Sequence, residues 1–220
     1  VSDSDRNPDL DVAASIEARR STKDFLPDPI DSSCLDQILH LTTEAPSSWN
    51  LQPWRIIVVD DPDSRARLHE ACFRQRQVLE APVTIVFAVD IDAWQRDMKP
   101  IIEQAQKTGA WPDDYCDIAR KAIPGGQTAL ESSGRLREYA MKDAMIAATH
   151  CVLAATSFGL KTTFMNGWRE PAVKQVIGAS DRDEIAIAVL VVMGHADRTL
   201  PHPGRLPRSQ TVFRQRLGDG

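Results

Sequence analysis

Residues 137–160 read REYAMKDAMIAATHCVLAATSFGL. Small or apolar residues occupy most of the circumference of the helix this segment predicts, and Gly159 stands where such a helix stops. A helix of that kind belongs inside a fold, so the segment predicts a buried central helix.

The stretches around it read as strands and amphipathic helices. RIIVVD (55–60) is strand-like, and APVTIVFAVD (81–90) is apolar almost throughout, which predicts a central strand. KTTFMNGW (161–168) predicts a short strand and a turn, and EIAIAVLVVMGH (184–195) another buried strand. DVAASIEARRS (11–21) predicts a short helix with Ala13 and Ile16 facing inward. After a Pro-rich connection, Asp31 or Ser32 caps a helix with Leu35, Ile38, Leu39 and Leu41 at helical spacing. DDPDS (60–64) caps a third helix expected to run to about Glu80, and EPAVKQVIG (170–178) a further one with Pro171 in its first turn. From Ile91 to about Leu136 the pattern loosens. There KTGAWPDDY (107–115) and IPGGQTALESSG (123–134) are expected to break short helical pieces, and Trp94, Trp111 and Tyr115 either line a pocket or anchor a loop cluster. With no internal repeat and no clear linker, the expectation is one α+β domain over residues 1–220, with an excursion at about 91–136.

Composition narrows the function. The chain has 220 residues, 42% hydrophobic and 26% charged, which is ordinary globular usage. Its 26 basic against 31 acidic residues give a net charge of -5, with no overall pull toward nucleic acid or an anionic membrane. Cys34, Cys72, Cys116 and Cys151 form no CxxC pair, and the five histidines form no HExxH, so neither a metal site nor a disulfide scaffold is expected. VSDSDRNPDL has no apolar leader core, and no run nears the roughly 18 apolar residues that span a bilayer. A soluble, cytoplasmic protein is expected. GxGxxG after a strand, GxxxxGK[ST] and GxSxG are all absent, and nothing is placed to activate Ser47 or Ser48 as a nucleophile.

Two polar clusters remain. RRSTK (19–23) sets two guanidiniums, two hydroxyls and an ammonium within one short stretch, a combination suited to a phosphate dianion, although arginines at a helix end more often serve dipole compensation and solvation. EAPSSWNLQPW (44–54) concentrates hydrogen-bonding groups between a helix and a strand.

Taken in order, RRSTKDFLPDPI, LDQILHLTTEAPSSWNLQPWRIIVV, APVTIVFAV, DAMIAATHCVLAATSFGLKTTFMNGW and IAIAVLVVMGHADRTLPHPGRLPRSQ resemble the nitroreductase family of FMN-dependent flavoproteins, over roughly residues 12 to 210. The resemblance implies a three-layer α/β/α fold with a central mixed, mainly antiparallel sheet and a long buried core helix. It also implies an intertwined homodimer with FMN at the subunit interface. Carried over by position, Arg19, Arg20 and Ser21 would hold the phosphate and ribityl end, with Lys23 near the N1 and O2 edge of the flavin. Pro46, Ser47, Ser48 and Asn50 would reach the flavin bound mainly by the other subunit. Gln77 and Arg74 fall where the family contacts the pyrimidine ring. The turn Met165, Asn166, Gly167 would offer backbone N–H groups to N5 and O4. In the tail, Arg205 is the first choice and Arg208 the second for closing on the phosphate, since Pro203 and Gly204 stand where another cation is expected. Trp49 is bulkier than is common at its position.

The activity so implied is reduction of nitroaromatic, quinone or related small acceptors by NADH or NADPH in a ping-pong cycle, with the cofactor carrying the chemistry and no certain catalytic side chain. The alternatives are a flavin-binding or sequestering protein, a family member with other flavin chemistry such as reductive dehalogenation, and an α+β dimerising domain without a cofactor.

Overall fold

The computed structural model describes residues 10–218; the reading of the first nine residues lies outside the described residues. Four strands, β1 (Trp54–Val59), β2 (Val83–Asp90), β3 (Lys161–Met165) and β4 (Ile185–Gly194), form one sheet in the order β1-β2-β4-β3. Every pairing between them is antiparallel. The parallel component of the expected mixed sheet is an isolated bridge between Ser21 and Thr162. The two central strands, β2 and β4, are also the most buried: all eight residues of β2 and nine of the ten of β4 are buried.

Alternation along these strands sends side chains to two faces. Ile85, Phe87 and Val89 of β2 join Val189, Val191 and Met193 of β4 on one face, under α2 (Ser32–Thr43) and α7 (Leu136–Ser157). Val86 and Ala88 join Ile185, Ile187, Leu190 and Val192 on the other, under α3 (Pro62–Ala71), α4 (Gln77–Glu80) and α8 (Glu170–Val176). Register shifts between Phe87 and Ala88, which pair with Val189 and Ile187, so Ala188 is the extra residue of a bulge. Helices on both faces of one sheet make three layers, and each fully buried Ile, Leu or Phe contributes about 1.5–3 kcal/mol. The predicted central helix is α7, with twelve buried residues, although Met145 and Ile146 stay exposed on one stripe.

Three expectations need correction. In α1 (Val12–Ala18) the inward residue is Ser15, whereas Ala13 is exposed and Ile16 is 57% exposed. The helix is short and rests on α7 through one narrow face, so its apolar residues are left outside. The third helix does not run to Glu80. It ends at Ala71, because Phe73 (φ 54) and Arg74 (φ 57) enter the left-handed region and the Arg74 amide donates to the His69 carbonyl at 2.9 Å, a glycine-free C-terminal turn. Finally, IPGGQ breaks nothing. In the excursion, α5 (Lys99–Lys107) is followed by α6 (Asp113–Ser132), which passes straight through Pro124, Gly125 and Gly126. Cys116, Ala119, Ile123 and Gln127 bury one helical stripe while Pro124 lies on the exposed side, so tertiary packing outweighs the lost backbone bond.

Candidate functional site

The end of α1 begins the site. Asp11 caps the helix by accepting from the Ala14 amide at 2.8 Å, and at Arg19 the backbone turns extended. The Thr22 amide then donates to the Thr162 carbonyl at 3.0 Å, which lays RRSTK along the edge strand β3. Arg19, Arg20, Ser21 and Lys23 line a cavity of about 440 Å³ whose other wall is the tail, Leu200 to Pro203 with Arg205. Burial, and then the charges of Arg205 and Arg20, depress the pKa of the Arg19 guanidinium. Among the described residues none of Arg19, Arg20, Lys23 and Arg205 is ion-paired with a carboxylate, although the chain is acidic overall. Converging cations that repel one another suit an anion with several oxygens, such as a phosphate monoester. Of the two tail arginines, Arg205 lines this cavity and Arg208 does not; Arg208 opens a short 3-10 turn instead.

Strand β3 leads from that cavity to the second predicted element. Met165 lies three positions beyond Thr162, about 10 Å of extended chain. Beyond it, the Gly167 carbonyl accepts from Gln75 Nε2 at 3.0 Å, and Gln77 Nε2 donates to Gln75 Oε1 at 3.2 Å. A Cβ on Gly167 would meet Gln75 Nε2 at 3.1 Å, so the glycine permits this close approach. The turn is therefore held by the α3–α4 connection. Gln77 is buried and supports Gln75 from within, and Arg74 pairs with Glu70 at 2.9 Å. Neither lines the cation cavity, and Gln75, which contacts the turn directly, was missed because the helix break between them was not visible.

The junction 46–50 does not line that cavity either. The chain from 46 to 52 winds through three non-glycine residues at positive φ, Trp49 (54), Asn50 (53) and Gln52 (46). Ser47 Oγ accepts from the Gln52 amide at 3.0 Å, and the Asn50 side-chain oxygen accepts from Gln52 Nε2 at 3.1 Å, while Pro46 is exposed. Ser48 faces inward. Its amide donates to both carboxylate oxygens of Asp143 at 3.3 and 3.2 Å, and its hydroxyl lies 3.4 Å from Oδ1. Asp143 is 4% exposed and its pKa is raised by desolvation, against the pull of the Ser48 donors. Sequence reasoning missed this anchor. Its signal was an acid on the small-residue face that Ala140, Ala144 and Ala147 define.

The excursion reaches the junction through aromatic rings. Trp49 stacks on Tyr115 at 6.1 Å, and Trp111 meets Tyr115 edge-on at 5.3 Å. Trp49, Trp94 and Trp111 also pack against Leu51, Ala119 and Ile123, so these aromatics anchor the excursion. At its base, Asp90 is fully buried and gripped by Arg55 at 3.0 Å and Arg96 at 2.5 Å. Among the described residues no cluster of His, Cys, Asp or Glu could hold a metal ion, and no helix is long and apolar enough to cross a membrane. Burial pushes the Cys72 and Cys151 thiols up to about 12, so neither is a nucleophile at neutral pH.

The three-layer α+β fold, with its cation-lined cavity at the edge of an antiparallel sheet, is of the nitroreductase-like class. The nitroreductase family model matches residues 16–195. The chain is 30% identical over 206 residues to an NADH dehydrogenase of Thermus thermophilus, covering 94% of this chain and 97% of that protein. It is 28% identical over 202 residues to a Bacillus subtilis protein provisionally assigned as the NAD(P)H nitroreductase YodC, covering 91% and 96%. A protein of Exiguobacterium sibiricum provisionally assigned as a nitroreductase, solved in complex with FMN, superposes with a TM-score of 0.83 at 25% identity, covering 95% of this chain and 99% of that one. The chain belongs to the nitroreductase family.

Proposed function

We propose that this chain is an FMN-dependent oxidoreductase that takes reducing equivalents from NADH or NADPH and delivers them to a nitroaromatic, quinone or related small acceptor by a ping-pong cycle. The observation that carries the reading is the cavity of Arg19, Arg20, Lys23 and Arg205, set without carboxylate partners among the described residues, along the strand that ends at Met165. FMN, when bound, supplies the hydride-accepting and hydride-donating chemistry. Arg19, Arg20, Ser21 and Arg205 hold its phosphate by charge-assisted bonds, and Arg208 stays a second choice in the tail. Lys23 stands two residues farther along the chain, where a fixed cation stabilises negative charge on a reduced ring. The backbone of Met165, Asn166 and Gly167, braced through Gln75 by Gln77, orients the ring edge.

The junction belongs to the other half of the site. Pro46, Ser47, Ser48 and Asn50 lie away from their own chain's cation cavity, which supports a homodimer in which they cover the partner's cofactor. Val12 at 71% exposed, Ile16, Leu41, Met145 and Ile146 form an apolar face on α1, α2 and α7 suited to that association. The whole chain then acts as one flavin-binding unit, cytoplasmic because it draws on NAD(P)H, with the excursion shaping acceptor choice.

Anaerobic stopped-flow is the test. NADH or NADPH alone should bleach the flavin, a nitroaromatic or quinone added afterward should restore its colour, and steady-state double-reciprocal lines should be parallel. Reduction by dithionite but by neither nucleotide would overturn the assignment in favour of flavin storage or another electron donor.

A further inference from the structure

The cation cavity has one more titratable wall. His202 lines it from the tail, held between Pro201 and Pro203, whose rings fix the backbone on both sides. The Gly204 amide, at φ +88, donates to His202 Nδ1 at 2.9 Å. A ring nitrogen that accepts a hydrogen bond carries no proton, so the imidazole here is neutral with its proton on Nε2. The charged groups acting on the ring are Arg205 on its own segment and Arg20 and Arg19 at the end of α1. Lys23 shares the cavity, and among the described residues no carboxylate lines it. Desolvation first, then these three arginines, hold the imidazole below its ordinary value.

We propose that His202 is a ligand of the phosphate end of FMN in this chain and takes up a proton as that phosphate enters, so that cofactor retention depends on pH. The inference rests on the FMN reading of the cavity. A dianion set among the arginines cancels their repulsion and offers an acceptor oxygen to one ring N–H, with the other left to solvent. One solvent proton adds to Nδ1, the hydrogen bond from Gly204 is given up, and no covalent bond between heavy atoms changes. Gly204, free of a Cβ, tolerates the backbone adjustment. The sign follows from linkage. Binding raises the imidazole's pKa above its free value, so the extra affinity is fully present below the free value and is lost as pH rises through the bound one. The phosphate's own second ionisation, near about 6, lies in the same range, and comparing two proteins with one ligand removes it.

The test is calorimetry of FMN binding to the full-length apoprotein, in buffers of different ionisation heat, for wild type and His202→Gln. Glutamine keeps a donor but cannot gain the proton. At pH about 7 wild type should take up more protons than the variant. The variant's Kd should be weaker at the acid end of the pH range, by up to about tenfold, and within about twofold at pH about 8.5, since a pKa rise of about one unit is at most a tenfold effect. Riboflavin, which lacks the phosphate, should bind both proteins alike. The His202 imidazole resonance should titrate at higher pH with FMN bound than without it. Equal proton uptake and equal Kd in the two proteins, while Arg19→Ala still weakens FMN, would overturn the role of His202 alone. Equal affinity of wild type for FMN and riboflavin, with Arg19→Ala silent, would instead remove the phosphate assignment and this inference with it.

Discussion

Replacing Asp143 tests how the junction is held. The carboxylate is the acceptor for both donors of Ser48, at 3.2 to 3.4 Å. These are long contacts, so each contributes about 1 kcal/mol and the pair about 2 kcal/mol. Against them stands desolvation, which raises the Asp143 pKa. The neighbouring turn adds its own pressure to open, since Trp49, Asn50 and Gln52 sit at positive φ at about 1 kcal/mol each. Asp143→Ala should therefore lower stability by about 2 kcal/mol, a fall in Tm of about 4–8 °C for a chain of this size. Asp143→Asn keeps an acceptor oxygen without a charge to desolvate, and should stay within about 1 kcal/mol of wild type. The two differ again in pH dependence. A carboxyl raised in the folded state binds more protons folded than unfolded, so its contribution to stability falls as pH rises from the ordinary carboxyl value through the raised one, then levels off. Thermal and urea denaturation across acidic to neutral pH would read both effects, with the wild-type minus Asp143→Asn difference isolating this group. If Asp143→Ala is as stable as Asp143→Asn at every pH, or that difference is flat, Asp143 is not an ionised anchor of the junction.

Two further outcomes follow from the geometry. Arg19→Ala should weaken FMN binding more than Lys23→Ala does, by about tenfold or more for one lost charge-assisted bond, while Lys23→Ala should lower the flavin potential; equal dissociation constants for wild type and Arg19→Ala would refute the phosphate role. Gly194→Ala places a Cβ 2.6 Å from Pro82 Cδ and 3.3 Å from Phe25 Cδ1, so about 1–3 kcal/mol of overpacking should appear in a thermal melt, and a wild-type Tm would contradict that close approach.

What sequence alone determined was whatever hydrophobic periodicity specifies locally. β4 is apolar throughout and β2 at all but Thr84 and Asp90, and they became the two inner strands. α7 is small or apolar around most of its wheel and became the central helix, and RRSTK could be singled out because its cations are neighbours in the chain. Tertiary structure decided everything that depends on partners distant in sequence. The IPGGQ segment stayed helical because Ile123 and Gln127 are buried by contacts that propensity does not include. The third helix broke at two non-glycine residues of positive φ, which moved the brace of the Gly167 turn to Gln75. Ser48 was drawn to an aspartate 95 residues away, and His202 was brought from the tail to the arginines that follow α1. Periodicity records which face of an element avoids water, because that is a property of neighbouring side chains. It carries no record of which charged or polar group completes a site, because that pairing exists only once the chain has closed on itself.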